Sequence, residues 1–542
     1  MQTLIRWWLA TWICLGALPG VLAAQTAEPS ASAARITKLV DGRVKASWAA
    51  QGFQPSWCDD ATFLRRASLD LTGLVPTPGE IRQFLADPAP DKRTRLVERL
   101  TASNLAARHL ANRWTQVLTE ARPDVDGSAL TDWLEERFAR NLRYDRVVAD
   151  LLASSGTNEP GPAAYFQACE YKPEKLASSS ARIFLGTRLG CAECHDHPFD
   201  KWSQEDFWGY AAFFAQVAPR NMMDRGAAQL ADRAEGDVKI PNTELVVLPR
   251  YPDGVDADRH GIGTRRQWLA LWMASRENSF LGRAAVNRVW SQLFGRGLVH
   301  PVDDLGPKNP GVDPELLDQL SQAFVDSGYD LRALYRGLAN SVLYRLASRS
   351  EAPAGVATGS VATGSDSAGS DSGAEPAATA VVADFDFFHA YPIRPLTAEQ
   401  LYDSLARNLM TAPAFNEVPG GPLQAASQRA RFINQMRSVA GDDGTYRAGV
   451  QQALSQMNGE LTASLLDRRG SRLLQSLSAP FLTTPQQIDL IYLATVSRYP
   501  TADERQRVVE LLQLSADSRL TDAAAADLTW AMVNSSEFLF CR

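Results

Sequence analysis

The sequence has little cysteine for its length, with six cysteines among 542 residues. A chain of this size with so few cysteines is not held together by a disulfide scaffold. The formal net charge is −7 and no dense block of Lys and Arg is present, which argues against nucleic acid as a partner. The motifs of P-loop proteins, G-x-S-x-G hydrolases and H-E-x-x-H metalloproteases are also missing. The sequence therefore assigns neither an enzymatic activity nor catalytic residues.

Long apolar runs are confined to the N-terminus. After Arg6, residues 7–22 carry no charge, and the small residues Ala23 and Ala24 follow. A short charged segment, an apolar core and a small-residue cleavage site predict a secretory signal peptide over residues 1–24. An uncleaved anchor is the alternative, although the apolar run is short for spanning a bilayer. We expect the mature chain to lie in the periplasm, outside the cell or in the cell envelope, without a stable transmembrane span.

Helical periodicity, in contrast, is abundant. Apolar residues make up 45% of the chain and charged residues 22%, which is typical of a folded globular protein. We predict a mostly α fold with two helical domains and a long low-complexity insertion in the second. Residues 350–384 are expected to be disordered, because few large apolar side chains are available there to form a core. The other predicted units are a first domain over 35–218, a connecting segment over 219–262, and a second domain over 263–349 and 385–540.

Local patterns predict individual elements within these domains. Thr77 is placed to cap a helix that continues through Ile81 and Phe84. Apolar residues at helical spacing predict further helices, which we expect to be continuous over 132–152, 170–189 and 264–294. Short strands are predicted over 238–240 and 245–248.

The strongest chemical signature is the pentad Cys191-Ala192-Glu193-Cys194-His195. In a C-x-x-C-H sequence the two thiols can add to the vinyl groups of haem, while the adjacent imidazole reaches the iron. Cys191 and Cys194 are therefore the predicted thioether anchors, and His195 is the predicted iron ligand. Covalent haem attachment takes place outside the bacterial cytoplasm, where the predicted signal peptide directs the chain.

Other chemistries are open to the same residues. Cys191 and Cys194 can instead form a disulfide or a redox-active dithiol, or serve as plain structural cysteines. Zinc is a further alternative, with His195 or His197 as a ligand and Asp200 nearby. The aromatic residues after the pentad, among them Phe207, Tyr210 and Phe214, suit either a haem crevice or an ordinary core.

No sixth haem ligand can be identified from the sequence. The candidates are Met222, Met223, His109, His197, His260, His300 and His389. A second polar set lies near Gly295-Arg296-Gly297 and is open to two interpretations, a polar pocket or a buried network of ion pairs. Its members are Asn287, Arg288, Asp303 and Asp304.

Several stretches resemble a family of large secreted planctomycete proteins. The pentad with its neighbours over 184–186 and 191–200, followed by Trp202 and 211–214, resembles the planctomycete cytochrome-like domain of unknown function. Stretches at 64–66, 69–73, 76–77 and 144–146 are similar to other parts of that domain. The second half looks like its usual companion, the PSD domain. The matching stretches are 286–290, 293–299, 303–306, 314–318, 394–399 and 534–538.

The resemblance implies a secreted protein with a cytochrome-like pentad and no established activity. Our leading interpretation is a haem c protein with an electron-transfer or redox role in the cell envelope, which would need a separate electron-transfer partner. The alternative is a non-haem metal-binding protein, or a structural-cysteine scaffold without redox activity, whose cofactor would be zinc or none. The sequence does not identify the partner or the substrate.

Overall fold

The computed structural model describes residues 31–120, 122, 124–155, 161–197, 201–219, 230–257, 262–276, 278–348, 388–411, 428–436, 450–513 and 519–542. The structure is 61% helical and its strands are short, which confirms the predicted mostly α fold. The predicted signal peptide and the predicted disordered insertion over 350–384 lie outside the described residues. Within the described part, no helix is both long enough and apolar enough to cross a membrane.

Among the described residues before 220 there are ten α-helices. They are α1 (Ala31–Gln51), α2 (Asp60–Thr72), α3 (Pro78–Ala86), α4 (Lys92–Thr101), α5 (Asn104–Leu118), α6 (Ser128–Ala139), α7 (Tyr144–Ala153), α8 (Ala163–Ala168), α9 (Pro173–Ser180) and α10 (Gln204–Ala211). A π-helical turn at Ala181–Leu185 continues α9 directly. Short 3-10 turns cover Leu189–Ala192 and Ala212–Phe214.

The helices described after residue 220 form a second series. They are α11 (Arg265–Met273), α12 (Ser279–Phe294), α13 (Pro314–Asp326), α14 (Leu331–Ala339), α15 (Ala398–Asn408), α16 (Gln428–Met436), α17 (Val450–Asn458), α18 (Glu460–Leu466), α19 (Arg472–Leu477), α20 (Thr484–Val496), α21 (Ala502–Leu511), α22 (Asp522–Val533) and α23 (Ser536–Leu539). A 3-10 turn at Leu343–Arg345 follows α14.

Three two-stranded antiparallel ribbons complete the described secondary structure. They pair β1 (Val217–Pro219) with β2 (Leu230–Asp232), β3 (Val238–Lys239) with β4 (Val246–Val247), and β5 (Arg394–Pro395) with β6 (Phe540–Cys541). The β3–β4 ribbon confirms the two short strands predicted in this stretch. The β5–β6 ribbon joins residues that are far apart in the sequence, so it ties β6 beside the start of α15.

Local capping explains why α3 begins where the sequence predicts. The hydroxyl of Thr77 accepts a hydrogen bond from the amide of Glu80, and the Glu80 carboxylate accepts one from the Thr77 amide. Pro78 occupies the first turn, where its missing amide proton costs no helical hydrogen bond. Ile81 and Phe84 face the core. The predicted helix after Thr77 is confirmed.

Two of the segments predicted as one helix are each divided into two helices. The helix expected over 132–152 ends at Ala139, and Asn141 takes a left-handed conformation with φ +51° before α7 starts at Tyr144. The helix expected over 264–294 stops after α11. Asn278 then starts α12, because its side-chain oxygen accepts hydrogen bonds from the first amides of the new helix.

The predicted helix over 170–189 is also wrong at both ends. Glu170 and Tyr171 have φ values of +55° and +56°, so α9 begins only at Pro173. The helix then loosens into the π-helical turn, and Gly186 ends it with φ +64°. A left-handed residue at this point costs little for glycine, because it has no Cβ to clash with the backbone. The chain is thereby turned toward the pentad.

The apolar interior is divided between two large clusters. The larger cluster contains buried residues from α1 through Tyr391, together with Leu493. It combines residues from both sides of the predicted connecting segment, since α1 packs on α13 and α14. The smaller cluster takes its residues from α15 onward, ending at Phe538. The predicted domain boundaries stay predictions.

Candidate functional site

The pentad lies on a short loop between the π-helical turn and α10, and we call residues 188–197 the pentad loop. Its first half is a 3-10 turn, in which the amide of Cys191 donates to the carbonyl of Arg188 and the amide of Glu193 to that of Gly190. Ala192 is completely buried. A Cβ added to Gly190 would lie 2.4 Å from the Ser178 hydroxyl oxygen, so the loop passes very close to α9.

The first turn of α10 holds the second half of the pentad loop. The Gln204 side-chain amide donates to the carbonyls of Glu193 and Cys194, at 3.0 and 2.9 Å. The Gln204 backbone amide donates to the Asp196 carboxylate at 2.8 Å, and the Trp208 indole donates to the Glu193 carbonyl at 3.0 Å. The loop backbone is therefore fixed by side chains outside the pentad, which leaves its own reactive side chains unconstrained by these bonds.

The imidazole of His195 is exposed and oriented by the loop backbone. Its Nδ1 lies 2.7 Å from the carbonyl oxygen of Asp196. Because a carbonyl oxygen only accepts hydrogen bonds, Nδ1 carries the proton in the neutral ring, and Nε2 then presents a lone pair. In metal sites, a hydrogen bond from the ring nitrogen that does not bind the metal orients the ligating histidine in the same way.

The thiols of the pentad differ from the other described cysteines. Cys191 and Cys194 are exposed, and neither forms a disulfide. Cys58, Cys169 and Cys541 are buried, also without a disulfide. Burial raises the pKa of Cys169 to about 12 and that of Cys541 to about 11. Since the thiolate is the reactive form, Cys169 and Cys541 are poor nucleophiles, and the exposed thiols are those of the pentad.

The predicted alternative metal ligands were His197 and Asp200. The amide of His197 donates to the carbonyl of Trp202 at 2.8 Å, and Asp200 lies outside the described residues. Among the residues that are described, no three His, Cys, Asp or Glu side chains are grouped as a metal site requires. The zinc alternative stays a prediction.

The aromatic residues that follow the pentad belong to the core rather than to an open crevice. Phe207, Tyr210 and Phe214 are fully buried in the larger cluster. The Tyr210 hydroxyl shares a hydrogen bond of 3.0 Å with the Ser180 hydroxyl. Of the two interpretations that the sequence left open for these residues, the structure supports ordinary core packing.

The candidate sixth ligands are dispersed or not described. Met222, Met223 and His260 lie outside the described residues. The ring of His389 stacks on Phe53 at 4.1 Å. The carbonyl of His300 accepts a hydrogen bond from Asn309.

His109 lies in α5, and burial, together with the nearby charge of Arg113, lowers its pKa to about 3. It lines a cavity to which no residue of the pentad loop contributes.

The polar residues near Gly297 have structural roles. The side-chain amide of Asn287 donates to the carbonyl of Val299 at 2.9 Å, and its oxygen accepts from the amide of the same residue at 2.9 Å. Asp303 is buried and accepts from Arg188 at 3.2 Å. The second interpretation, a buried polar network, is therefore the better one, and it anchors the residue that precedes the pentad turn.

Sequence analysis missed one buried polar cluster, which we call the Asp70 junction: Asp70, Tyr344, Tyr391 and Arg394. The Asp70 carboxylate accepts hydrogen bonds from Tyr344 at 2.8 Å, from Tyr391 at 2.7 Å and from Arg394 at 2.6 Å. Burial lowers the pKa of Arg394, but the charges around it, that of Asp70 first, raise it by more. The sequence signal that could have identified this cluster is the carboxylate of Asp70, which lies between the apolar residues Leu69 and Leu71.

Comparison with known families gives two matches in the order that the sequence suggested. Residues 39–219 match PSCyt2, described as a protein of unknown function (DUF1549). Residues 265–450 match PSD1, described as a protein of unknown function (DUF1553). No curated protein and no solved structure matches the chain. The expected pair of family regions is thereby confirmed, and neither description assigns an activity.

Proposed function

We propose that the pentad attaches one haem covalently and that the chain serves electron transfer or haem-dependent redox chemistry in the cell envelope. The observation that carries this proposal is the geometry of the pentad loop. Cys191 and Cys194 are exposed and unbridged, and the Nδ1 of His195 is engaged by the Asp196 carbonyl. Two available thiols and one imidazole nitrogen with a lone pair are the groups that c-type attachment uses.

The residues present fit a haem at the level of its attachment groups. Cys191 and Cys194 would form the thioether links, and His195 would bind the iron. A bound haem would supply a reversible one-electron change, with a potential that depends on ligation and burial. The bonds from Gln204 and Trp208 fix the backbone beneath these groups, so little ordering is left to be done when the haem binds.

The electrostatics of the loop bear on the same proposal. Arg188 immediately precedes the 3-10 turn and bonds to Asp303, which belongs to the second family region. This ion pair holds the entry of the pentad loop against the segment that follows α12. The Asp196 carbonyl orients the imidazole of His195. The whole pentad loop is held by contacts with residues of both family regions.

Export is part of the proposal. The apolar leader predicts transport out of the cytoplasm, where covalent haem attachment takes place in bacteria. The name of the matching family, PSCyt2, is in keeping with a cytochrome-like role. An electron-transfer partner in the envelope follows from the proposed chemistry, because a single haem passes its electron to another centre.

The test is expression with the leader in a host competent for c-type cytochrome maturation, followed by a visible spectrum and a haem stain after denaturing electrophoresis. In the spectrum of the reduced protein we expect a Soret band and an α band. On the gel we expect a polypeptide that takes up the haem stain. The double variant with Cys191→Ala and Cys194→Ala should abolish the stain, because it removes both proposed thioether links. Cys169→Ala is the matched control, because Cys169 is a buried thiol outside the pentad, and it should keep the stain.

Two results would overturn the proposal. A folded protein without colour from such a host would show that the pentad does not attach haem. A stain that survives Cys191→Ala together with Cys194→Ala would place the haem elsewhere. In the first case, metal analysis of the colourless protein would distinguish the zinc-binding alternative from a metal-free scaffold.

A further inference from the structure

An arginine without a partner lies at the seam between the two family regions, where α12 packs on the π-helical turn before the pentad loop. A Cβ added to Gly186, at the end of that turn, would lie 3.4 Å from the Cβ of Ala284. Arg288 is four residues further along α12 and therefore lies on the same helix face. The amide of Leu305 donates to the Gly186 carbonyl at 2.8 Å, which holds the segment after α12 at the seam.

The guanidinium group of Arg288 is buried but not bonded. The residue is 8% exposed, and its Nε is enclosed without a hydrogen bond. Its two terminal nitrogens form no hydrogen bond or ion pair with any described residue either, yet they are not enclosed as Nε is. Because an arginine keeps its proton in proteins, a positive charge is left here without a bonded counter-ion, on nitrogens that solvent can still reach.

Two other arginines of the seam already have carboxylate partners. Arg188 donates to Asp303 at 3.2 Å. Arg182 forms one ion pair with Asp303 at 3.7 Å and another with Glu120 at 2.5 Å. Three arginines thus face two carboxylates, which leaves one positive charge in excess. That charge belongs to Arg288, because it is the member of the three that contacts neither carboxylate.

The protein itself does not compensate the charge of Arg288. Burial lowers the pKa of Arg288, and although Tyr144 and Asp303 raise it, they do not offset burial and the opposing charge of Arg182. The charged form is therefore less stable at the seam than in water. A buried ion without a partner is costly, and an anion taken from solvent would remove that cost.

The chemistry of the seam favours a carboxylate among the anions. The planar fork of N–H donors in a guanidinium matches the paired oxygens of a carboxylate or a phosphate. One carboxylate would neutralise the single excess charge, whereas a phosphate dianion would exceed it and be repelled by Asp303. The side chains of Arg182 and Arg188 are 34% and 39% exposed, so the seam is open to solvent where they lie.

We propose that Arg288 binds a carboxylate group at this seam, with its terminal nitrogens donating to the carboxylate oxygens. The site does not rest on the proposed haem. Two sources carry the same chemistry. One is a free short-chain organic acid, and the other is a propionate side chain of a haem attached at the pentad, whose loop begins with Arg188.

The experiment uses the full chain labelled with ¹⁵N-arginine, first in the haem-free variant with Cys191→Ala and Cys194→Ala. The Nε resonance of Arg288 is assigned with Arg288→Lys and followed during a titration with sodium acetate, in which sodium chloride keeps the ionic strength constant. Acetamide is the matched control, because it has the shape of acetate without the charge. We expect acetate to shift the resonance saturably and to bind at least about 10-fold more tightly than acetamide.

Urea denaturation in the same haem-free background separates binding from general effects of salt. Acetate should raise the denaturation midpoint when Arg288 is present, because a ligand of the folded state stabilises it. Arg288→Met should lose this effect, and it should fold, since an apolar side chain replaces an unpaired charge. Arg283→Lys is the control and should keep the effect, because Arg283 lies on the same helix but is paired with Asp318.

Each outcome decides the proposal. Saturation by acetate in the haem-free chain supports the site. If the haem-loaded chain then fails to respond to acetate, a propionate is the source, whereas a response in both forms identifies a free acid. No saturable shift, equal binding of acetamide, or a midpoint that acetate raises equally in Arg288→Met would overturn the proposal. The titration of Arg288 decides even if Arg288→Met does not fold, and it is independent of whether the pentad attaches haem.

Discussion

The pentad loop and the Asp70 junction place polar groups in opposite surroundings. In the pentad loop, the backbone carbonyls of Glu193 and Cys194 are bonded by α10, while the reactive thiols and imidazole stay exposed. In the Asp70 junction, the carboxylate is buried, Arg394 is largely buried, and every described bond to the carboxylate comes from within the protein. The loop keeps groups available for chemistry, whereas the junction uses them to join parts of the fold.

The difference shows where this chain can tolerate unpaired chemical groups. Exposed side chains of the pentad loop are solvated, so leaving them without protein partners costs little. A buried carboxylate or guanidinium without its partner is expensive, because it has lost water and gained nothing. His109 is intermediate, since the residue is partly buried and its buried Nε2 has no hydrogen-bond partner within the described protein.

The largest effect is expected from Asp70→Asn. Arg394 would lose its carboxylate partner while it stays largely buried, and the new amide would direct a donor toward it. We expect a loss of about 3–5 kcal/mol in the free energy of unfolding, measured by urea denaturation. Asp124→Asn is the control, because Asp124 forms an exposed pair with Arg122, and the denaturation midpoint should not change. Equal midpoints for wild type and Asp70→Asn would contradict the role of the junction.

A smaller effect is expected from protonation of His109. Its pKa in the folded chain is about 3, whereas an unfolded histidine titrates at about 6.5. Between these values the unfolded chain binds more protons, so stability is complete above pH 6.5 and falls as the pH drops toward 3. We expect His109→Phe to remove roughly 2–4 kcal/mol of this acid dependence.

Urea denaturation at a series of pH values measures that slope. Leu110→Met is a suitable control, because Leu110 lines the same cavity as His109 and the substitution removes no titratable group. It should keep the wild-type slope. A slope that His109→Phe leaves intact would mean that His109 binds its proton equally well in the folded and the unfolded chain.

The smallest effect is expected at the edge of the pentad loop. Trp208→Phe keeps an aromatic ring beside Phe207 but removes the indole donor to the Glu193 carbonyl. We expect a loss of about 1 kcal/mol, with faster hydrogen exchange at the amides of Cys191 and Glu193. Exchange in α14, which is remote in sequence from the loop, is the internal control. Uniformly faster exchange throughout the chain would contradict a local role.

The sequence predicted features whose signals are local. The pentad is five consecutive residues, and the α3 start is fixed by Thr77 and Glu80 three positions apart. The Asp70 junction could not be predicted in the same way, because Tyr344 and Arg394 lie 274 and 324 positions from Asp70. Helical periodicity alone also failed at Asn141, since one left-handed residue breaks a helix without disturbing the apolar pattern on either side.

The aromatic residues after the pentad teach a similar lesson. Phe207, Tyr210 and Phe214 have a spacing that suits a cofactor wall as well as a core, and only packing distinguishes the two. The cavity lined by His109 had no signal in the sequence, because its walls combine residues from α2, α4, α5, α6 and α14. The sequence identified His109 as a candidate ligand. The structure adds that its Nε2 is buried.

The most direct test of the central claim is the intact mass of the exported protein, purified under denaturing conditions from a maturation-competent host. We predict an increase by the mass of one haem over the processed polypeptide, present in Cys169→Ala and absent in the double variant with Cys191→Ala and Cys194→Ala. A folded wild-type protein with the unmodified polypeptide mass would contradict the account, and so would a haem adduct that the double variant retains.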